Sequence, residues 1–271
     1  MRLSDRSPQL RAILAAIVGI GAVGAVALLA SPSDAPHTAV RAQGPALSEA
    51  YRLADTWSGA GVGAPGSLLD PGGIAVADGS SAGEVWVVDR GNGRIQSFTT
   101  DGAFLRAFGR HGEGAADFKD PRDIAVGNGK VYVTDPGKGA VLVFDMDGTP
   151  SAQWTGGALV APFGIAFGGG RLAVSEPSKG EVLLFDAAGQ PTGRVTGLAQ
   201  PRGVMISNDG RIVVAQAGAG IVTVHDGTGR EVARQAVARA PLDAALDERG
   251  DLYVMAADVI YWFESGKDQS R

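Results

Sequence analysis

The sequence predicts an all-β chain, a β-propeller of four-stranded blades preceded by one apolar helix-forming segment. Three observations carry this expectation. Five proline-led segments recur: PGGIAV at Pro71, PRDIAV at Pro121, PFGIAF at Pro162, PRGVMI at Pro201 and PLDAAL at Pro241, with starts 50, 41, 39 and 40 residues apart. Glycine makes up 41 of 271 residues, about twice the usual ~7%, and falls between short apolar runs as tight turns between short strands require. Residues 12–30 contain no charged or strongly polar side chain.

Each proline-led segment opens a unit of the same order. A turn and a second apolar run follow (EVWVVD, KVYVTD, RLAVSE, RIVVAQ, DLYVMA), then a third run ending on or near an aromatic (RIQSF, AVLVF, EVLLF, GIVTVH, VIYWF). In the first four units a turn with Gly102, Gly148, Gly189 or Gly229 leads to a fourth strand such as AFLRAFG or TPSAQWTG. Strands of five or six residues that are apolar on both faces cannot bury themselves in one sheet, so the sheets must stack face to face around an axis. The last unit supplies three strands only. Glu49–Trp57 (EAYRLADTW) matches the fourth-strand pattern and is expected to complete that blade, covering the open margins of a ring of five.

The pattern Pro-x-(Gly/Asp)-Ile/Val-Ala-Val, Val-Tyr/Trp-Val-x-Asp, Arg-Ile-x-x-Phe and Asp-Gly resembles the NHL repeat. The resemblance is clearest in PGGIAV…EVWVVDRGNGRIQSF…DG and PRDIAV…KVYVTDPGKGAVLVFDMDG, covers about 220 residues, and fades where Gln216 replaces the strand-end acid and Ala244 replaces Ile. NHL propellers more often have six blades, so six is the alternative to the five counted here. The resemblance implies a binding, sensor or scaffold module for a protein, peptide or glycan. It also relates the chain to lactonase-like hydrolases and to lyases, which would use a metal in the central channel.

Arg2, Arg6 and Arg11 precede the apolar segment and place residues 1–11 in the cytoplasm. Residues 12–30 are long enough, at ~1.5 Å per residue, to cross a bilayer as a transmembrane helix. The absence of a small-x-small site close behind the core favours an uncleaved anchor. A cleaved signal segment, with a site near Val40-Arg41-Ala42, is the other reading. Either exports the rest: a tether over 31–44, the propeller over 45–264 and a tail over 265–271, membrane-anchored in the periplasm or extracellular space, or secreted.

Composition excludes several functions. The net charge is −5, and beyond residue 44 there are 20 basic and 27 acidic side chains, so no global field favours nucleic acid. With no cysteine there is no disulfide, thiolate metal site or Cys nucleophile. The glycine strings at Gly19–Gly24 and Gly61–Gly66 lack the strand–turn–helix setting of a dinucleotide fingerprint, and Gly79–Gly83 joins two strands where a nucleophile elbow would need a helix. His37, His111 and His225 are too few for a His-rich zinc site, and His225 occupies the slot of Phe98, Phe144 and Phe185. No catalytic set emerges and no cofactor is expected.

Two sets of residues remain. Strand-end acids Asp89, Asp135 and Glu176 recur at equivalent places. They are the candidates for a calcium ring, against the plainer expectation that each accepts hydrogen bonds from backbone N–H groups. The residue after each repeat proline should rim the funnel where blades connect. There Arg122 and Arg202, with Phe163 between them, are suited to an anionic or planar group, unless they pair with Asp123, Asp243 or inter-blade carboxylates.

Overall fold

A computed structural model describes residues 63–77, 83–155, 157, 159–207, 209–246, 250–257 and 259–263. It contains nineteen strands in five antiparallel sheets among these residues. The first blade is β1 (Pro71–Ala77), β2 (Glu84–Asp89), β3 (Arg94–Thr99) and β4 (Phe104–Phe108). The second is β5 (Ile124–Gly127), β6 (Lys130–Asp135), β7 (Ala140–Asp145) and β8 (Pro150–Thr155). The third is β9 (Ile165–Gly168), β10 (Arg171–Glu176), β11 (Glu181–Asp186) and β12 (Pro191–Val195). The fourth is β13 (Pro201–Ile206), β14 (Ile212–Gln216), β15 (Ile221–His225) and β16 (Glu231–Ala236). The fifth shows three strands, β17 (Asp243–Leu246), β18 (Leu252–Ala256) and β19 (Val259–Phe263).

Within each blade the strands run in sequence order as a meander. The second strands are buried almost throughout, as their unbroken apolar runs require, and the outer strands β4, β8, β12 and β16 are mostly exposed. Cores form between sheets: Trp86, Val88 and Ile95 pack on Val131, Val133 and Phe144, and the pattern repeats between the second and third, third and fourth, and fourth and fifth blades. This is the face-to-face stacking that makes blades interdependent.

The innermost strands pack in succession, β1 on β5, β5 on β9, β9 on β13 and β13 on β17, with no comparable packing of β17 on β1 among the described residues. The expected closing strand, Glu49–Trp57, lies outside the described residues, as do the transmembrane segment, the tether and the C-terminal tail. No helix among the described residues is long and apolar enough to cross a membrane.

Each fourth strand meets the third with a register shift at the same place, at Phe98, Phe144, Phe185 and His225. Ordinary alternation along the third strand turns Phe144 and Phe185 toward the preceding blade, and two aromatic plugs result. Phe108 packs on Phe144 with ring centroids 4.8 Å apart, and Trp154 on Phe185 at 5.6 Å.

Candidate functional site

The strand-end acids fix the connecting face. Asp89, Asp135 and Glu176 are fully buried. Asp135 accepts the N–H groups of Lys119 at 2.8 Å, Asp120 at 3.0 Å and Lys138 at 3.1 Å. Glu176 accepts those of Val160 and Ala161 and the Ser178 hydroxyl. Asp89 accepts the Leu69 N–H at 2.8 Å and side-chain donors from Asn92, Arg94 and Gln96. The acids therefore hold the connectors entering each blade, more than the turns that follow them. In the fourth blade Gln216 keeps one bond of this kind, accepting the Ala199 N–H at 2.8 Å. Their oxygens point into separate blades and are occupied by donors, and among the described residues no three carboxylates or imidazoles gather as a metal would need.

Asp123 and Asp243 lie deeper, at the third position of the proline-led segments, where the other blades have Gly73, Gly164 and Gly203. Asp123 is buried and bridges blades, accepting the N–H of Ile124 and that of Ile165 in the next blade, each at 2.8 Å. Asp243 accepts the Ala244 N–H at 2.9 Å. A Cβ on Gly73 would stand 2.0 Å from Asp123 Oδ1, and one on Gly203 2.2 Å from Asp243 Oδ1. Each hub carboxyl thus requires a glycine on the preceding blade. Thr134 and Ser175 add further stitches, donating across blades to the carbonyls of Phe163 and Arg202 at 2.6 Å each.

Burial pushes both hub carboxyls well above the usual carboxylate range; for Asp123, the N–H of Ile165 acts against this and the charge of Asp243 adds to it. A folded value raised above the unfolded 3.8 means that the native state holds protons the unfolded chain has released. The associated stability is therefore full below pH 3.8 and is lost as the pH rises through the raised folded value. Asp243→Asn keeps an acceptor for Ala244 and cannot ionise. The melting temperature of this variant relative to wild type is expected to climb as the pH rises above 4; a difference independent of pH would show that Asp243 is not held protonated.

The rim arginines do not pair with these hub carboxyls, but Arg122 does pair with an inter-blade carboxylate, the plainer of the two expectations for it. Arg122 binds Asp120 through Nε and Nη2, at 3.0 and 2.8 Å, and Arg90 bridges Asp120 and Asp70. Arg122 also lies 5.7 Å from the Phe163 ring centroid, and Arg202 lies 5.4 Å from it. The structure thus gathers Arg122, Phe163 and Arg202 from three successive blades, and separates Asp123 and Asp243 from them. Arg202 has no carboxylate within ion-pair distance among the described residues, and its guanidinium lies against the face of Phe163. Exposed Val160 stands three residues from Phe163, and Leu69 is exposed on the equivalent connector of the first blade.

The histidines take different places. His111 is exposed and lies over Gly93, its Nε2 3.3 Å from the Gly91 carbonyl. His225 is buried in the aromatic slot, and burial lowers its pKa, holding the ring neutral. The sequence reading missed its environment. Gln216, Thr223 and His225 form one hydrogen-bonded chain, with Gln216 Nε2 donating to Thr223 Oγ1 at 2.9 Å and Thr223 Oγ1 lying 2.9 Å from His225 Nε2. The signal was the shared departure of three positions of the fourth blade from the repeat.

A family model, DUF5128, described as a 6-bladed β-propeller, matches residues 79–155, over which the present structure has three strands of its first sheet and all four of its second. The E3 ubiquitin-protein ligase NHLRC1 of Rattus norvegicus is 39% identical over 84 residues, covering 31% of this chain and 21% of the relative; that of Homo sapiens is 36% identical over 84 residues, with the same coverage. The chain spans about a fifth of the length of these curated relatives. Among solved structures, a streptogramin B lyase superposes with TM-score 0.56 at 14% identity, over 72% of this chain and 70% of that one. XC5397 from Xanthomonas campestris, a gluconolactonase, gives 0.58 at 20% identity, over 71% of each chain. At such identities the likeness is one of fold alone.

Proposed function

Because the chain carries an NHL-type β-propeller, we propose that it is a recognition module held outside a membrane by residues 12–30, binding an acidic peptide segment of a protein partner on the face where its blades connect. The observation that carries this reading is Arg202: a guanidinium set against an aromatic face, beside a second arginine, with no carboxylate of its own among the described residues. A fork of donors in that position suits a partner's carboxylate, and Phe163 with Val160 offers apolar contact beside it. A rigid propeller holds such connectors still, so little ordering is needed on binding. The arginine-rich start of the chain and the uncharged span after it support the anchored, extracytoplasmic placement.

The catalytic alternative, a metal-dependent lactonase or lyase, draws on the solved neighbours. It lacks a specific observation in this chain, because the recurrent acids it would use are occupied by backbone donors.

A fluorescent glutamate-rich peptide titrated into the purified propeller tests the reading. Binding is expected to weaken at least tenfold in Arg122→Ala plus Arg202→Ala, and to fall with added salt. Equal binding of a neutral peptide or of an uncharged glycan, or binding untouched by the double variant, would overturn it.

A further inference from the structure

The two aromatic plugs on the blade flanks have a missing third. By strand register, Phe108, Trp154 and Val195 are equivalent, facing Ile95, Val141 and Val182 across their strand pairs. So are Phe98, Phe144, Phe185 and His225 at the recurrent register shift. Between the first and second blades the slot is filled by Phe108 on Phe144, and between the second and third by Trp154 on Phe185. Between the third and fourth blades both partners shrink, to Val195 and His225, and a cleft of about 420 Å³ opens there. The turn glycines mark the same place: a Cβ on Gly189 would stand 2.4 Å from the Trp154 indole, whereas one on Gly229 meets only the backbone and methyl group of Arg194 and Val195, at 3.3 and 3.4 Å.

The floor of this cleft differs from its counterparts at three positions, and two of the changes put a polar group where they have hydrocarbon. Gln216 stands for an acid, Thr223 for Leu142 and Leu183, and His225 for phenylalanine. All three are buried. Because a carbonyl can only accept, His225 Nδ1–H donates to Gly229 O at 3.2 Å, and Nε2 accepts the Thr223 hydroxyl. At the mouth stands Arg194, largely exposed and only loosely tied to Glu181 at 3.8 Å. Arg234, beside it, is already paired with Glu231.

We propose that this cleft, whose lining includes none of Arg122, Phe163 and Arg202, is a small-molecule site that takes a planar aromatic carboxylate: the ring in the place Trp154 fills one blade earlier, the carboxylate on Arg194. A volume of about 420 Å³ lies in the usual range for such sites, and an indole-sized ring is what the neighbouring slot already accepts.

Indole-3-acetate is the probe, with indole and acetate as controls, read by calorimetric titration and by melting temperature. Saturable binding of indole-3-acetate is expected. It should weaken at least tenfold in Arg194→Ala and vanish in Val195→Trp plus His225→Phe, which refills the slot as the second blade does. That filled variant is expected to melt higher than wild type, since it replaces a buried polar chain by a packed aromatic pair. Absence of binding to the wild type overturns the proposal. So does binding undiminished in the filled variant, or in Arg194→Ala, or indole binding as tightly as indole-3-acetate. His225→Phe alone gives a second filled form should the double variant fold poorly, and retained binding there counts equally against the site.

Discussion

Asp135→Ala is expected to lower stability by about 4 kcal/mol, the largest single loss among the acids, because it strips the acceptor from three backbone donors at once. The N–H groups of Lys119, Asp120 and Lys138 all end on this fully buried carboxylate. Water cannot replace it without opening the connector between the first and second blades. Each stranded donor costs about 1–3 kcal/mol, which over a domain of this size corresponds to a fall of roughly 10 °C in melting temperature. Asp135→Asn keeps one acceptor oxygen and should lose about half as much. Asp101→Ala, at an exposed turn, serves as the control and should stay within about 0.5 kcal/mol. Denaturant titration of the three variants measures the series. If Asp135→Ala matched Asp101→Ala, the carboxylate would not be holding the connector.

Gly203→Ala should be nearly as damaging, at about 3 kcal/mol or more. The added methyl would lie 2.2 Å from Asp243 Oδ1, 2.5 Å from its Cα and 2.8 Å from the Leu242 carbonyl oxygen, mostly backbone atoms that cannot swing aside. The same close approach carries the Gly203 N–H to Leu242 O at 2.9 Å, so the fourth and fifth blades separate at the hub if it is lost. Gly193→Ala on the outer strand meets only a Leu184 methyl at 3.5 Å and is expected to be tolerated. Thermal melts of the two variants side by side test the hub geometry. Equal melting temperatures would show that the blades can part there without loss.

The architecture was legible because its cause is local and repeated. Proline starts, twin apolar runs and turn glycines recur at near-constant spacing, and strands apolar on both faces leave stacking as the way to bury them. Arg122, Phe163 and Arg202 were legible for the same reason, since one position of a repeat maps to one place around the funnel. Asp123 and Asp243 were less so. Asp123 follows the rim residue Arg122 and Asp243 follows Leu242 at the same position, but adjacent residues of an extended chain point to opposite faces, and the carboxyls turn into the hub against Gly73 and Gly203. The cleft was only half legible. It needs Val195 and His225 read together, 30 positions apart in the numbering; the repeat sets His225 in the slot of Phe185, but only the strand pairing sets Val195 opposite Val182 as Trp154 stands opposite Val141.

The central claim is that the recurrent acids serve the scaffold and leave binding to the arginine-bearing face. Its most direct test is the melting temperature of the purified propeller, dialysed against chelator and then measured with and without calcium or zinc. Superimposed transitions are the expected result, since Asp89, Asp135 and Glu176 already have their donors. A rise of several degrees on adding either ion would mean that a cation binds the native state, and would contradict the account.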